Sequence, residues 1–225
     1  MNQKQAAGEK AAEYVRDGMN VGLGSGSTVY WTIRRLGEMV KQGLRIRGIP
    51  TSGATESLAR ECGIPLTDFS VVERLDLAID GADEISPELD LIKGGGGALM
   101  REKLVAASSE RLIIVADESK LVPILGKRPV PVEVVPFGWE TTARRIEDLG
   151  STASLRMSGE EPFVTDNGNH ILDCSGGAIE DPAALHRRLK LLTGVVETGL
   201  FVGMADAAVV AGQDGIRVIE RDQRR

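Results

Sequence analysis

Met19-Asn20-Val21-Gly22-Leu23-Gly24-Ser25-Gly26-Ser27-Thr28 is the stretch that decides the fold. Met19 to Leu23 is a short apolar run of buried-strand length, and it passes directly into a loop of glycines and hydroxyls. Beyond that loop Val29, Ile33, Leu36 and Val40 recur at helical spacing. The same rhythm continues outward. Ile46–Ile49 reads as a strand, Thr55–Cys62 as a helix stopped by Gly63, and Leu75–Ile79 as a strand. Ala98–Ala107 reads as a helix and Leu112–Ala116 as a strand, while upstream Ala6, Ala7, Tyr14 and Val15 are loosely helical up to Asp17-Gly18. Alternation of this kind predicts an α/β fold: a mostly parallel, Rossmann-like sheet with helices on both faces.

The texture changes after Lys127. Pro129, Pro131 and Pro136 punctuate a Val-rich segment, and a helix is expected from about Trp139 to Leu149. Val164-Thr165 and Ile171-Leu172 flank Asp166-Asn167-Gly168-Asn169, a hairpin signal because Asn-Gly readily takes positive φ. Leu185–Leu192 reads as helical and Gly194-Val195-Val196 as the start of a strand. These elements suggest a smaller α+β domain over residues 129–199, with residues 1–128 and 200–225 forming the Rossmann-like domain. Two strand candidates, Ala207–Val210 and Ile216–Ile219, are joined by a Gly212–Gly215 turn and should return to the first sheet.

The chain has 225 residues, 42% of them hydrophobic, enough for a sizeable core. Its net charge of −6 argues against nucleic acid as a partner, so an anionic ligand needs a local positive site. Cys62 and Cys174 are far apart and in no metal-binding spacing, and His170 and His186 are the only imidazoles. No metal and no cofactor are therefore expected. The N-terminal stretch has no apolar core of signal-peptide length and no segment could span a membrane, which points to the cytoplasm.

Three clusters carry chemistry. In Gly22–Thr28, glycines allow close approach of a ligand to the backbone ahead of a helix N-terminus, and Ser25, Ser27 and Thr28 add hydroxyls. That suits a phosphate, or else is a glycine-rich turn with a Ser/Thr cap. Ser27 stands where the dinucleotide fingerprint needs its third glycine, and no lysine completes a Walker loop, so a small phosphorylated ligand fits better than NAD or ATP. Asp80-Gly81-Ala82-Asp83-Glu84 closes an apolar strand, where the ligand crevice of an open α/β sheet lies. Acid/base work, a Mg²⁺ site and a solvated acidic turn all remain open for it. Lys93-Gly94-Gly95-Gly96-Gly97 leads into a helix on which Glu102 shares a stripe with Ala98, Val105 and Ala106, while Arg101 and Lys103 flank it on other faces. A carboxylate on an apolar stripe should have a raised pKa, suited to a general base. Asp117-Glu118-Ser119-Lys120 brings a further lysine to the same sheet edge.

Together GLGSGST, DLAIDGADEI, LIKGGGGALMREK, ADESKLV, LGKRPVPVEVVPF, VTDNGNHILD and GVVETGLF resemble, in order and spacing, the type A ribose-5-phosphate isomerases, from about Lys4 to Val218. The resemblance implies metal-free interconversion of ribose 5-phosphate and ribulose 5-phosphate by proton transfer through an enediolate, in the non-oxidative pentose phosphate pathway. It implies that Ser25, Gly26, Ser27 and Thr28 bind substrate near its phosphate and that Asp80, Gly81, Ala82 and Asp83 contact the sugar. Asp80 would assist ring opening. Lys93, Gly94, Gly95 and Gly96 would form a third binding segment, Glu102 the proton acceptor and Lys120 a further contact, with Lys4 reaching the phosphate. Ser25 replaces a frequent threonine and Gly97 a frequent alanine, the latter expected only to loosen the loop. A sugar phosphate partner and a homodimer are implied. A non-catalytic sugar-phosphate sensor and a metal-dependent phosphatase on Asp80 and Asp83 are the rival readings.

Overall fold

A computed structural model describes residues 2–221. In chain order they form α1 (Gln3–Ala12), β1 (Asn20–Leu23), α2 (Val29–Lys41), β2 (Arg47–Pro50), α3 (Gly53–Glu61), β3 (Leu77–Gly81), β4 (Glu84–Ile85) and β5 (Leu91–Ile92). Then come α4 (Leu99–Ala107), β6 (Leu112–Asp117), β7 (Val130–Val134), α5 (Trp139–Glu147), β8 (Thr152–Leu155), β9 (Met157–Ser158), β10 (Glu161–Pro162) and β11 (His170–Ser175). The chain ends with α6 (Pro182–Lys190), β12 (Val195–Thr198), β13 (Leu200–Phe201), β14 (Ala207–Gly212) and β15 (Gly215–Glu220).

Two units result: Met1–Ala82 with Arg101–Lys120 and Met204–Arg225, and Asp83–Met100 with Leu121–Gly203. The first holds a six-stranded sheet in the order β15-β14-β6-β3-β1-β2, parallel except for the terminal β14–β15 pair. β6 is buried at all six positions, as a central strand covered on both faces must be. Alternate side chains divide the work. Val21, Leu23, Leu77, Ile79, Ile113, Val115, Val209 and Ala211 form one core with Ala7 and Ala11 of α1, Val29, Ile33 and Leu36 of α2, and Ala59 of α3. On the other face α4 presses close to β1, because a Cβ on Gly22 would lie 2.4 Å from Val105 Cγ1 and 2.9 Å from Ala78 Cβ. The α1–α2 crossing depends on Gly8 in the same way: a Cβ there would meet the Thr28 carbonyl oxygen at 2.7 Å.

The second unit carries an antiparallel four-stranded sheet, β12-β7-β11-β8, and a three-stranded one, β13-β5-β4. Its core joins Val130, Val132, Val134, Leu172 and Cys174 of the sheet to Ala143 and Ile146 of α5 and Leu189 of α6. The segment 83–100, expected with the Rossmann-like domain, groups here instead, as do residues 121–128 and 200–203. The reason is pairing: β5 hydrogen-bonds with β13 on one side and β4 on the other, and Lys93 N–H donates to the Gly199 carbonyl at 2.8 Å. The expected hairpin across 164–172 is only a turn. Thr165 N–H bonds Asn169 and Gly168 N–H bonds Thr165, but β11 pairs with β7 and β8 and Val164 lies outside any strand. Instead the turn is anchored on the fully buried Glu133 of β7, whose Oε1 accepts from Thr165 Oγ1, Asn167 Nδ2 and Asn169 Nδ2 at 2.9–3.0 Å. Both cysteines are buried free thiols, and burial pushes Cys174 up to about 12.

Gly22→Ala should overpack the β1–α4 contact and lower stability by about 1–3 kcal/mol, read as an earlier midpoint in urea unfolding. An unchanged midpoint would mean that α4 yields at no cost.

Candidate active site

The candidate residues fall into two groups, one in each unit. In the first unit the parallel strands β1, β3 and β6 deliver their carboxyl ends side by side, where an open sheet gathers its chemistry. Asp80, 3% exposed, accepts Ser25 N–H at 3.1 Å and Gly81 N–H at 2.7 Å, both on Oδ1. This carboxylate sits where a side chain on residue 24 would project: a Cβ on Gly24 would be 2.2 Å from Asp80 Oδ1. The Ser25 hydroxyl lies within 2.7–3.0 Å of the hydroxyls of Thr51, Ser52 and Thr55. Thr55 Oγ1 in turn donates to Gly24 O, and Thr51 Oγ1 to Leu23 O.

Gly26 takes φ +112, and its carbonyl accepts Tyr30 N–H in the first turn of α2. Thr28 makes no side-chain cap bond at the start of α2, so the alternative of a Ser/Thr-capped turn is not realised. Lys4 on α1 donates to Ser27 Oγ at 2.9 Å, which puts an ammonium on the exposed side of this loop.

Glu102 stands in the first turn of α4 and is 6% exposed. Of the expected apolar stripe, Val105 and Ala106 are buried and Ala98 is partly buried. Lys103 is buried as well, 9% exposed, while Leu104 is half exposed. At the end of β6 Asp117 accepts the N–H and hydroxyl of Ser119. Burial pushes its carboxyl upward, but those two hydrogen bonds and the charges of Lys120 and Lys4 outweigh burial and hold it below the ordinary value. Lys120 and Lys4 thus bracket one acid at this edge of the sheet.

In the second unit Asp83 accepts Gly95 N–H on Oδ2 at 2.8 Å. Lys93 is 3% exposed, and its ammonium lies 5.3 Å from the centroid of the Phe201 ring. Gly97 N–H bonds the Gly94 carbonyl at 3.0 Å and closes a four-residue turn. Gly97 is not a loosened alanine: at φ +83 a Cβ would strike the Phe163 ring at 2.4 Å. Glu84, the third acid of its motif, is structural and only 1% exposed. Its Oε2 accepts Gly126 N–H at 2.8 Å and its Oε1 accepts Arg128 N–H.

Sequence reasoning missed Thr51, Ser52 and Thr55, although their place after β2, beside β1, was a usable signal. It also missed Arg156, which donates to the Gly94 and Gly95 carbonyls from a distant segment with no motif of its own. Among the described residues no three His, Cys, Asp or Glu side chains converge as a metal site would require.

The family described as ribose 5-phosphate isomerase A (phosphoriboisomerase A) matches residues 47–215. The chain is 56% identical over 218 residues to ribose-5-phosphate isomerase A of Bacillus mycoides, covering 96% of this chain and 99% of that protein. It is 59% identical over 218 residues to that of Shouchella clausii, with 97% and 96% covered. A solved D-ribose-5-phosphate isomerase in complex with phospho-erythronic acid superposes with a TM-score of 0.95 at 39% identity, covering 98% of this chain and all of that one.

Asp117 should titrate below 3.8 by carboxyl ¹³C NMR. A folded value below the unfolded one adds stability that is present above the unfolded value and lost as pH falls through the folded value. Asp117→Asn should therefore be less stable than the native chain near neutral pH and converge with it in acid. A titration at or above 3.8 would contradict the hydrogen-bond assignment.

Proposed function

The chain belongs to the ribose 5-phosphate isomerase A family and interconverts ribose 5-phosphate and ribulose 5-phosphate, and we propose that it does so by proton transfer through an enediolate with Glu102 as the base. The observation that carries this reading is a nearly buried carboxylate in the first turn of a helix that follows a glycine loop and a buried lysine. Moving a proton between C2 and C1 needs a base above the two carbons and a positive group at the oxygen. Glu102 takes the proton from one carbon and returns it to the other. A positioned base of this kind contributes ~10²–10⁴-fold.

Lys93 carries the charge that the enediolate oxygen needs, and the Gly94–Gly96 turn offers bare backbone to the sugar. Asp80, its Oδ1 fixed by two N–H groups, helps to open the furanose ring, and Asp83 holds a hydroxyl. The phosphate is received at Gly26–Thr28 with Lys4, and Lys120 is a further contact; the 2.9 Å bond from Lys4 to Ser27 supports that assignment. Ser25, engaged with three hydroxyls, shapes the loop as much as it binds. Remote binding of a non-reacting phosphate is what orients the sugar carbons. A four-carbon sugar-acid phosphate, like the one held by the solved relative, should compete with substrate here. On the family's usual habit we propose a homodimer acting in the cytoplasm; among the described residues no helix is long and apolar enough to cross a membrane.

Glu102→Gln preserves shape but cannot accept a proton, so kcat should fall at least ~10²-fold while KM changes little. The spectrophotometric assay of ribulose 5-phosphate formation reads this directly. A variant within a few-fold of the native rate would remove Glu102 from the base role.

A further inference from the structure

Arg156 lies in the second unit, between β8 and β9, and its guanidinium is committed on several sides. Nε and Nη2 donate to the two carboxylate oxygens of Asp173 on β11, at 2.9 and 2.5 Å. Nη1 donates to the carbonyl of Gly94 at 2.8 Å and to that of Gly95 at 3.2 Å. The Phe163 ring, the one that excludes a Cβ at Gly97, has its centroid 5.9 Å from the guanidinium carbon. The Arg156 side chain is 15% exposed. A planar fork with donors on two edges makes all these bonds at once, which an ammonium cannot do.

What Arg156 grips is the glycine turn. The Gly94–Gly95 peptide is held at both ends, its oxygen by Arg156 and its N–H by the Asp83 carboxylate. In the next peptide, Gly95–Gly96, the oxygen is again held by Arg156. A trans peptide points its N–H opposite to its oxygen, so Gly96 N–H is turned away from Arg156, at an exposed residue. Without such a clamp, consecutive glycines would let this peptide rotate through many orientations.

We infer that Arg156 is a positioning residue of the isomerase reaction: by fixing the Gly95–Gly96 peptide plane it holds Gly96 N–H as a preset donor to a sugar oxygen, without touching substrate itself. A donor held in place before reaction stabilises developing charge at no reorganisation cost. This inference rests on the reading of Lys93–Gly96 as a substrate-binding segment.

The test is steady-state kinetics with ribose 5-phosphate for Arg156→Ala, Arg156→Lys and Lys93→Met, with the folded fraction of each followed by circular dichroism. Arg156→Ala should lose about 10²-fold in kcat/KM, the scale on which a displaced binding group acts. Guanidinium ion at sub-denaturing concentration should restore part of that activity, and Arg156→Lys should recover less than a tenth of it. A loss that only follows the folded fraction, with no guanidinium rescue, would reduce Arg156 to a structural bond and overturn the inference. If Arg156→Ala does not fold, Arg156→Lys decides: kcat/KM within about three-fold of native overturns the inference as well. Lys93→Met separates the two layers. If it too is silent, the binding role of the loop fails; if it is impaired while folded Arg156 variants are not, only the role of Arg156 fails.

Discussion

A buried carboxylate occupies the space that a side chain at position 24 would need, and the first unit's chemistry is arranged around it. Asp80 Oδ1 draws Ser25 N–H and Gly81 N–H onto one atom, so the loop after β1 is tied to the end of β3. Any residue larger than glycine at position 24 would drive a carbon to within 2.2 Å of that oxygen. Once the loop is tied, its further features follow. Ser25 turns into the hydroxyl cluster at the start of α3, Gly26 reverses the backbone, and Ser27 meets the ammonium of Lys4. Lys4 arrives there because Gly8 lets α1 cross close over the first turn of α2, a contact sealed by Thr32 Oγ1 donating to the Gly8 carbonyl.

The acids of this chain look alike in sequence and do different things in space. Asp80 and Asp83 organise backbone N–H groups of the loops proposed to bind substrate. Glu84, one residue beyond Asp83, is turned to the 126–128 backbone and braces the second unit. Glu133 is fully buried on β7 and holds the Asn-Gly turn. Asp117 is kept ionised by its neighbours rather than by exposure. Glu102 is as enclosed as most of these but differs from all of them in being carried by a helix.

The strand–loop–helix order of the first unit was legible because each apolar run is local and each is closed by glycine or a polar cluster. Val29–Lys41 and Leu112–Asp117 fall close to where periodicity put them. The allocation of 83–100 to the second unit was not legible, since it depends on β5, with β4 at its side, pairing with β13 more than a hundred residues away. The turn at 166–169 was recognised from Asn-Gly chemistry, yet its anchor is a buried glutamate on a strand that reads as plain apolar Val-Pro-Val-Glu-Val. Helical spacing placed Lys103 on another face from Glu102 but says nothing of how far burial extends around the helix, and Lys103 is buried too. Motif residues in the candidate site could be named from sequence, whereas Arg156 and the Thr51–Thr55 hydroxyls act through contacts that no motif announces.

The role of Glu102 stands or falls on the path of the hydrogen between C2 and C1. A carboxylate that carries a proton between two carbons can lose it to solvent before returning it, even when the site excludes most water. Isomerisation of ribose 5-phosphate in D₂O, followed by ¹H and ²H NMR, is the direct measurement. Proton transfer through an enediolate predicts deuterium at C1 of ribulose 5-phosphate, partial if return is fast and accumulating with turnover. Product that stays free of deuterium over many turnovers would mean direct hydride transfer and would contradict the role proposed for Glu102.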